Sequence, residues 1–151
     1  DNYLFKNKLL DERAVWQLLL DKKGNFASKP PYGKITSFST LTGKKNWQIP
    51  FGARNLSESI RVKGDINFGG LLSTSGNITF ATGTSDKKIY GYNSLNGKIL
   101  WEHKMKYSGS SPPMTYFYNG HQYLIVNSSG GKYHGYNNNS YGDMIYSYKL
   151  N

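Results

Sequence analysis

An all-β architecture is expected for this chain on three observations. They are short runs alternating at period two, turn residues packed between those runs, and an eleven-residue segment that occurs twice. Ile78 and Phe80 alternate with Thr79 and Ala81, and Lys88-Ile89-Tyr90-Gly91-Tyr92 and Tyr123-Leu124-Ile125-Val126 are rich in the aromatic and branched residues that favour strands. Ser75-Gly76-Asn77, Asn96-Gly97, Asn119-Gly120 and Gly130-Gly131 punctuate them. Asn-Gly pairs are strong hairpin signals, because both central residues of a tight two-residue turn need positive φ.

Composition narrows the class further. With 151 residues the chain suits one ordinary domain with a sizeable core. Only 19% of residues are charged while 15% are aromatic, beside 17 glycines, which excludes a coiled coil and argues against a disordered chain. No apolar run approaches the roughly 18 residues of a membrane-spanning helix. The absence of cysteine removes disulfides and thiolate metal sites and leaves the redox compartment open. The first residue is Asp1 and no secretory leader pattern follows, so we expect a processed chain or a piece of a longer one. The net charge of +10 comes from 19 basic against 9 acidic residues. Those lysines and arginines are scattered singly and in pairs through turn-like segments, so solvated loop charge is expected and no nucleic-acid partner.

One stretch departs from the strand pattern. Asp11 to Leu20 has acids in its first turn, apolar residues at 14, 15, 18 and 19, and Gly24 beyond it, which predicts a short helix packing Trp16 and the leucines on the β body. Residues 1–33 are therefore read as a helix-containing loop segment and residues 34–151 as β structure.

The repeat is the most informative feature. Ser37-Phe38-Ser39-Thr40-Leu41-Thr42-Gly43-Lys44-Lys45-Asn46-Trp47 recurs as Gly91-Tyr92-Asn93-Ser94-Leu95-Asn96-Gly97-Lys98-Ile99-Leu100-Trp101, with Gly43 and Gly97, and likewise Trp47 and Trp101, 54 residues apart. A strand, a glycine turn and a return strand repeating near this period predict the blades of a β-propeller. The indoles are assigned to packing between blades, each N–H finding a backbone acceptor. Phe68–Thr74, Ile78–Gly83, Lys88–Asn93 and Lys98–Lys104 make one full four-stranded blade. Two strands, Lys34–Ser39 and Lys45–Phe51, precede it, and three follow: Met114–Tyr118, Gln122–Ser128 and Met144–Leu150. So short an array leaves sheet edges bare and blade faces uncovered. It reads as a partial propeller: one full blade plus two incomplete ones of a larger ring.

These residues resemble the tryptophan-docking motif of the pyrroloquinoline-quinone (PQQ) dehydrogenases. Further matches run in order: Lys29-Pro30-Pro31-Tyr32-Gly33, Gly64-Asp65-Ile66-Asn67-Phe68-Gly69-Gly70, Gly83-Thr84-Ser85-Asp86, Pro113-Met114-Thr115-Tyr116, Asn119-Gly120-His121-Gln122-Tyr123 and Gly142-Asp143. The set is most similar to the C-terminal blades of the quinoprotein glucose dehydrogenase branch. The resemblance implies an eight-bladed ring whose axial pocket holds PQQ and calcium. It further implies oxidation of a sugar or alcohol, electron transfer to a quinone acceptor, and a periplasmic location with possible inner-membrane association through a region outside this chain. The catalytic base, the calcium ligands and the cationic groups gripping the cofactor are implied in other blades, with no catalytic or metal-binding residue here.

Within this chain the resemblance points to Asp86, Asn67 and Phe68 as cofactor-facing and to His134 as substrate-facing. Each has a plainer reading beside it. Asp86 also suits a turn cap, Asn67 to Gly70 suit a bulge or close strand packing, and His134 suits an exposed loop. In Gly130-Gly131-Lys132-Tyr133-His134-Gly135, Lys132-Tyr133 depart from the family's Gly-Gly-His-Gly pattern, and Asn137-Asn138-Asn139 lengthen the loop. His103 and His121 are expected at the surface, without metal-like spacing. A sister enzyme acting on alcohols, and a non-catalytic propeller scaffold such as an outer-membrane assembly factor, are the alternative functions.

Overall fold

The computed structural model describes residues 19–22, 26–56, 59–131 and 141–150. Among the described residues there are eleven strands: β1 Lys34–Phe38, β2 Lys45–Pro50, β3 Ala53–Asn55, β4 Arg61–Lys63, β5 Leu71–Ser73, β6 Ile78–Thr82, β7 Lys88–Asn93, β8 Ile99–Lys104, β9 Met114–Tyr118, β10 His121–Gly130 and β11 Tyr141–Leu150. They form antiparallel sheets ordered β1-β2, β3-β4, β5-β6-β7-β8 and β11-β10-β9. The full blade expected from the sequence is the four-stranded sheet, with its first strand shorter than anticipated. The β3–β4 hairpin is additional. Its strands are three residues each, too short for a period to show. Most of the helix expected over 11–20 lies outside the described residues, and Leu20 pairs with Phe26 in an isolated bridge.

The four-stranded sheet is apolar on both faces, so it must be covered on both. Pairing Phe80 with Gly91 and Ala81 with Tyr90 puts Phe80 and Ile89 on one face and Ala81, Tyr90 and Tyr92 on the other. The second face packs on β1–β2 in a core of Ile35, Phe51, Ala81, Tyr90 and Tyr92, flanked by Trp47 and Ile49. The first packs on β9–β11 in a core of Phe80, Ile89, Met105, Leu124 and Val126, flanked by Tyr146 and Tyr148. Three sheets are thus stacked face to face with the complete one in the middle.

Trp47 fixes how the first two sheets meet. Its indole N–H donates to the Ser94 carbonyl at 2.9 Å, across 47 residues of sequence. Its ring lies on Gly97, where a Cβ would fall 2.8 Å from Trp47 Cε3. Gly97 also has φ +73°, a region costly for residues with a Cβ. The β7–β8 connection is not a two-residue hairpin. Gly97 N–H donates to Asn93 O and Asn93 N–H to Lys98 O, a longer turn that aims the Ser94 carbonyl at the indole. Asn119-Gly120 does make the two-residue hairpin its sequence signals, with φ +48° and +77°. Trp101, the second copy, is 38% exposed and packs edge-on against Tyr148 and Phe80.

Because successive strands alternate in direction, the connections segregate. One end of the stack carries the turns 39–44, 74–77, 94–98 and 119–120. The other carries 51–56, 59–70, 83–87, 105–113 and the end of β10, and with them Asn67, Phe68 and Asp86.

Removing the docked indole with Trp47→Ala in the full-length protein should cost about 3 to 5 kcal/mol of stability, read by chemical denaturation. Gly97→Ala should displace the ring, giving a lower melting temperature and a red-shifted tryptophan emission; an unchanged emission maximum would contradict the contact. Burial, with the neighbouring Tyr146, pushes the Tyr148 phenol from 10.0 up to about 12. The stability this contributes is therefore complete below pH 10 and is lost as pH rises towards 12. Tyr148→Phe should lose less stability than the wild type over that interval.

Candidate functional site

Close backbone contacts knit the loop end together. Asp65 N–H donates to Phe51 O at 2.8 Å, Phe68 N–H to Gly83 O at 3.1 Å, Met105 N–H to Lys87 O at 2.7 Å and Gly130 N–H to Ser108 O at 2.9 Å. The Ser108 hydroxyl donates to Thr84 O at 2.8 Å. Glycine makes these approaches possible. A Cβ on Gly69 would fall 2.3 Å from Thr82 O, and one on Gly83 would fall 2.1 Å from Gly69 N. Gly69, Gly70 and Gly83 therefore serve packing of chain on chain, the plainer of the two readings of this motif.

Asn67 is exposed and Phe68 half-buried at this end. Asn67 Nδ2 donates to Thr82 O at 2.7 Å, which orients the amide and leaves its second N–H and its carbonyl for another partner. Both residues follow from the same cause: the chain before β5 continues its pairing with the end of β6, through Phe68 and Gly83.

Asp86 occupies the β6–β7 turn with both carboxylate oxygens engaged. Oδ1 accepts from the Thr84 hydroxyl at 2.7 Å and from Lys88 N–H at 3.4 Å. Oδ2 accepts from Ala53 N–H at 2.9 Å and from the Tyr90 hydroxyl at 2.5 Å. The turn-capping role is thus present, and the reach to Ala53 extends it across to the β3–β4 hairpin. Burial raises the Tyr90 phenol above its ordinary range and the hydrogen bond to Asp86 raises it further, so the phenol is a donor at any physiological pH.

Two residues that the sequence reading did not single out complete the arrangement. Asp65 is fully buried and accepts from Arg54 Nη1 at 2.8 Å, Ile66 N–H at 2.9 Å and Ser85 N–H at 2.8 Å. Arg54 is itself buried, with its guanidinium 4.6 Å from the Phe26 ring centroid. Asp65 lay inside a quoted motif, but its partner is eleven positions upstream, behind the unforeseen hairpin. No local spacing signals that pair.

The sequence-named residues Asn67, Phe68 and Asp86 are thus gathered at one end of the stack, while His134 lies outside the described residues. Asp65 and Asp86 are both committed as hydrogen-bond acceptors, a role of holding and orienting. Among the described residues no group of three or more His, Asp and Glu is arranged to hold a metal ion. His103 and His121 are exposed as expected, His103 with its ring 6.3 Å from that of Trp101.

Residues 6–124 match the profile of the family described as PQQ: Glucose/ethanol/alcohol dehydrogenase, beta-propeller domain. The chain is 31% identical over 129 residues to the quinoprotein glucose dehydrogenase of Escherichia coli (strain K12), covering 81% of this chain and 16% of that protein. It is 33% identical over 128 residues, with the same two coverages, to quinoprotein glucose dehydrogenase A of Acinetobacter calcoaceticus. The glycerol dehydrogenase large subunit of Gluconobacter oxydans (strain 621H) is 31% identical over 115 residues, covering 71% of this chain and 16% of that one. Among solved structures, the quinohemoprotein alcohol dehydrogenase from Comamonas testosteroni superposes with a TM-score of 0.60 at 24% identity, over 85% of this chain and 18% of its own, a likeness of fold. The chain spans 16% of the length of these curated relatives. Stacked antiparallel sheets joined through a repeated glycine–tryptophan turn, and a profile match over residues 6–124, have one reading: the chain belongs to the PQQ-dependent glucose/ethanol/alcohol dehydrogenase β-propeller family.

Proposed function

We propose that this chain forms C-terminal blades of an eight-bladed PQQ-dependent sugar dehydrogenase of glucose type. In this reading the full-length protein oxidises an aldose in the periplasm, is associated with the inner membrane through another part of the polypeptide, and passes electrons to a membrane quinone. The observation that carries the reading is the identity of about 30% to quinoprotein glucose dehydrogenases across four fifths of the chain.

The residues present fit a planar quinone. Asn67, oriented by Thr82 O, has a spare N–H for a quinone oxygen, and the half-buried Phe68 beside it supplies apolar wall. Asp86 holds the β6–β7 turn through Ala53 N–H and the Thr84 hydroxyl. PQQ supplies the two-electron acceptor and calcium the Lewis acid, with the calcium ligands and catalytic base on other blades. His134 is assigned to face the sugar.

Two surfaces support continuation of the ring. Met114, Tyr116, Tyr118 and Ile145 are 42 to 72% exposed on the face of β9–β11 turned away from the four-stranded sheet. On the other side a groove of about 430 Å³ runs between Trp101, Tyr148, Phe80 and Leu150. The Tyr148 hydroxyl is buried there without a hydrogen-bond partner among the described residues. The contact of Trp47 with Gly97 supplies the template for a further turn seated against Trp101.

Titrating the full-length protein with PQQ and calcium, then following dye reduction with glucose, glycerol and ethanol, tests the function. Glucose should be the best substrate. Preferred turnover of ethanol would transfer the protein to the alcohol branch, and no cofactor-dependent reduction with any of the three would remove the enzymatic reading. Asn67→Ala and Phe68→Ala should each weaken PQQ binding roughly tenfold, about 1.4 kcal/mol, with little change in melting temperature.

A further inference from the structure

We infer that Asp65, with Arg54 as its partner, is a positioning residue for the cofactor-facing loops; the inference rests on the PQQ reading above. Three chain segments are linked here in a closed circuit. Asp65 Oδ1 in the loop before β5 takes Arg54 Nη1 at 2.8 Å, and its Oδ2 takes Ser85 N–H at 2.8 Å in the β6–β7 turn. The next residue in that turn, Asp86, reaches with Oδ2 to Ala53 N–H at 2.9 Å, and Ala53 is bonded to Arg54. The circuit closes through two carboxylates: Asp65 holds the residue before Asp86, and Asp86 holds the residue before Arg54, the partner of Asp65.

The geometry ties this circuit to the proposed site. Asp65 Oδ1 also takes the N–H of Ile66 at 2.9 Å, directly before Asn67 and Phe68, and Ser85 directly precedes Asp86. All three residues assigned to the cofactor thus leave the circuit within three positions of Asp65 or Ser85. The Asp65 backbone has no room to drift. A Cβ on Gly33 would fall 1.9 Å from its carbonyl oxygen, and its N–H is bonded to Phe51 O. The remaining freedom is that of the side chains, and the ion pair removes it.

Burial explains why an ion pair suits this task. Asp65 is 0% and Arg54 8% exposed, so the pair carries a large desolvation cost that apolar residues of like volume would avoid. Stability alone does not call for such a pair. What a carboxylate supplies, and a leucine does not, is a fixed direction for the Ser85 N–H and the Ile66 N–H.

The test separates placement from stability in the full-length protein. In Asp65→Asn one of the two atoms that face Arg54 and Ser85 becomes an NH2 donor, so one of those hydrogen bonds is lost and the circuit opens while shape is preserved. Arg54→Met with Asp65→Leu removes both charges together. Apo-protein melting temperature and the PQQ dissociation constant, read by quenching of tryptophan fluorescence, are measured for each. Asp65→Asn should bind PQQ at least tenfold more weakly. The double variant should melt within a few degrees of wild type and show the same loss of affinity. PQQ affinity within twofold of wild type in the double variant would overturn the inference, and so would a double variant that does not fold, since the pair would then be holding the fold. Failure of the wild type itself to take up PQQ is a different result and removes the functional reading.

Discussion

A sheet with two apolar faces cannot exist alone in water, and the rest of this structure answers that constraint. Tyr90 and Tyr92 on one side and Phe80 and Ile89 on the other demand cover from two neighbours. Face-to-face stacking alone would leave the sheets free to slide, because apolar contact is not directional. The indole of Trp47 supplies direction: one hydrogen bond to a carbonyl of the next sheet and a flat contact on a glycine that only a missing Cβ permits. The stacking constraint and this pinning contact together place the loop end of each sheet beside that of the next.

Division of labour between the two ends follows from strand alternation. The turn end is occupied by glycine and asparagine at positive φ and by the docked indole. At the loop end, buried polar groups satisfy one another: Thr84, Ser108 and Ser128 are all but inaccessible and each hydroxyl is hydrogen-bonded. Such a network fixes loops without a hydrophobic core of their own, and loops fixed in this way hold Asn67 at the surface beside the half-buried Phe68.

Much of this was legible in the sequence, and the reasons differ by element. The four strands of the central sheet showed because alternation and turn residues act over a few positions, and the blade arrangement showed because Trp47 and Trp101 repeat with their glycines. The gathering of Asn67, Phe68 and Asp86 was legible only through resemblance, since no periodicity marks them. What was missed is what long-range pairing decides. Asp86 reaching Ala53 spans 33 positions and Ser85 reaching Asp65 spans 20, and neither leaves a local trace. The Asn96-Gly97 pair illustrates the converse. Read locally it signals a two-residue hairpin, yet both copies of the repeat make the same longer turn, at 39–44 and at 93–98, and in the second copy that turn offers the Ser94 carbonyl to Trp47.

An experimental structure of the full-length protein with PQQ and calcium bound bears most immediately on whether these stacked sheets form part of a quinone site. The Asn67 amide and the Phe68 ring should be in contact with the cofactor, with Asp86 behind them and Asp65 still bridging Arg54 and Ser85. A cofactor held wholly by other parts of the polypeptide, with no atom of residues 64–70 or 83–87 in van der Waals contact, would contradict it.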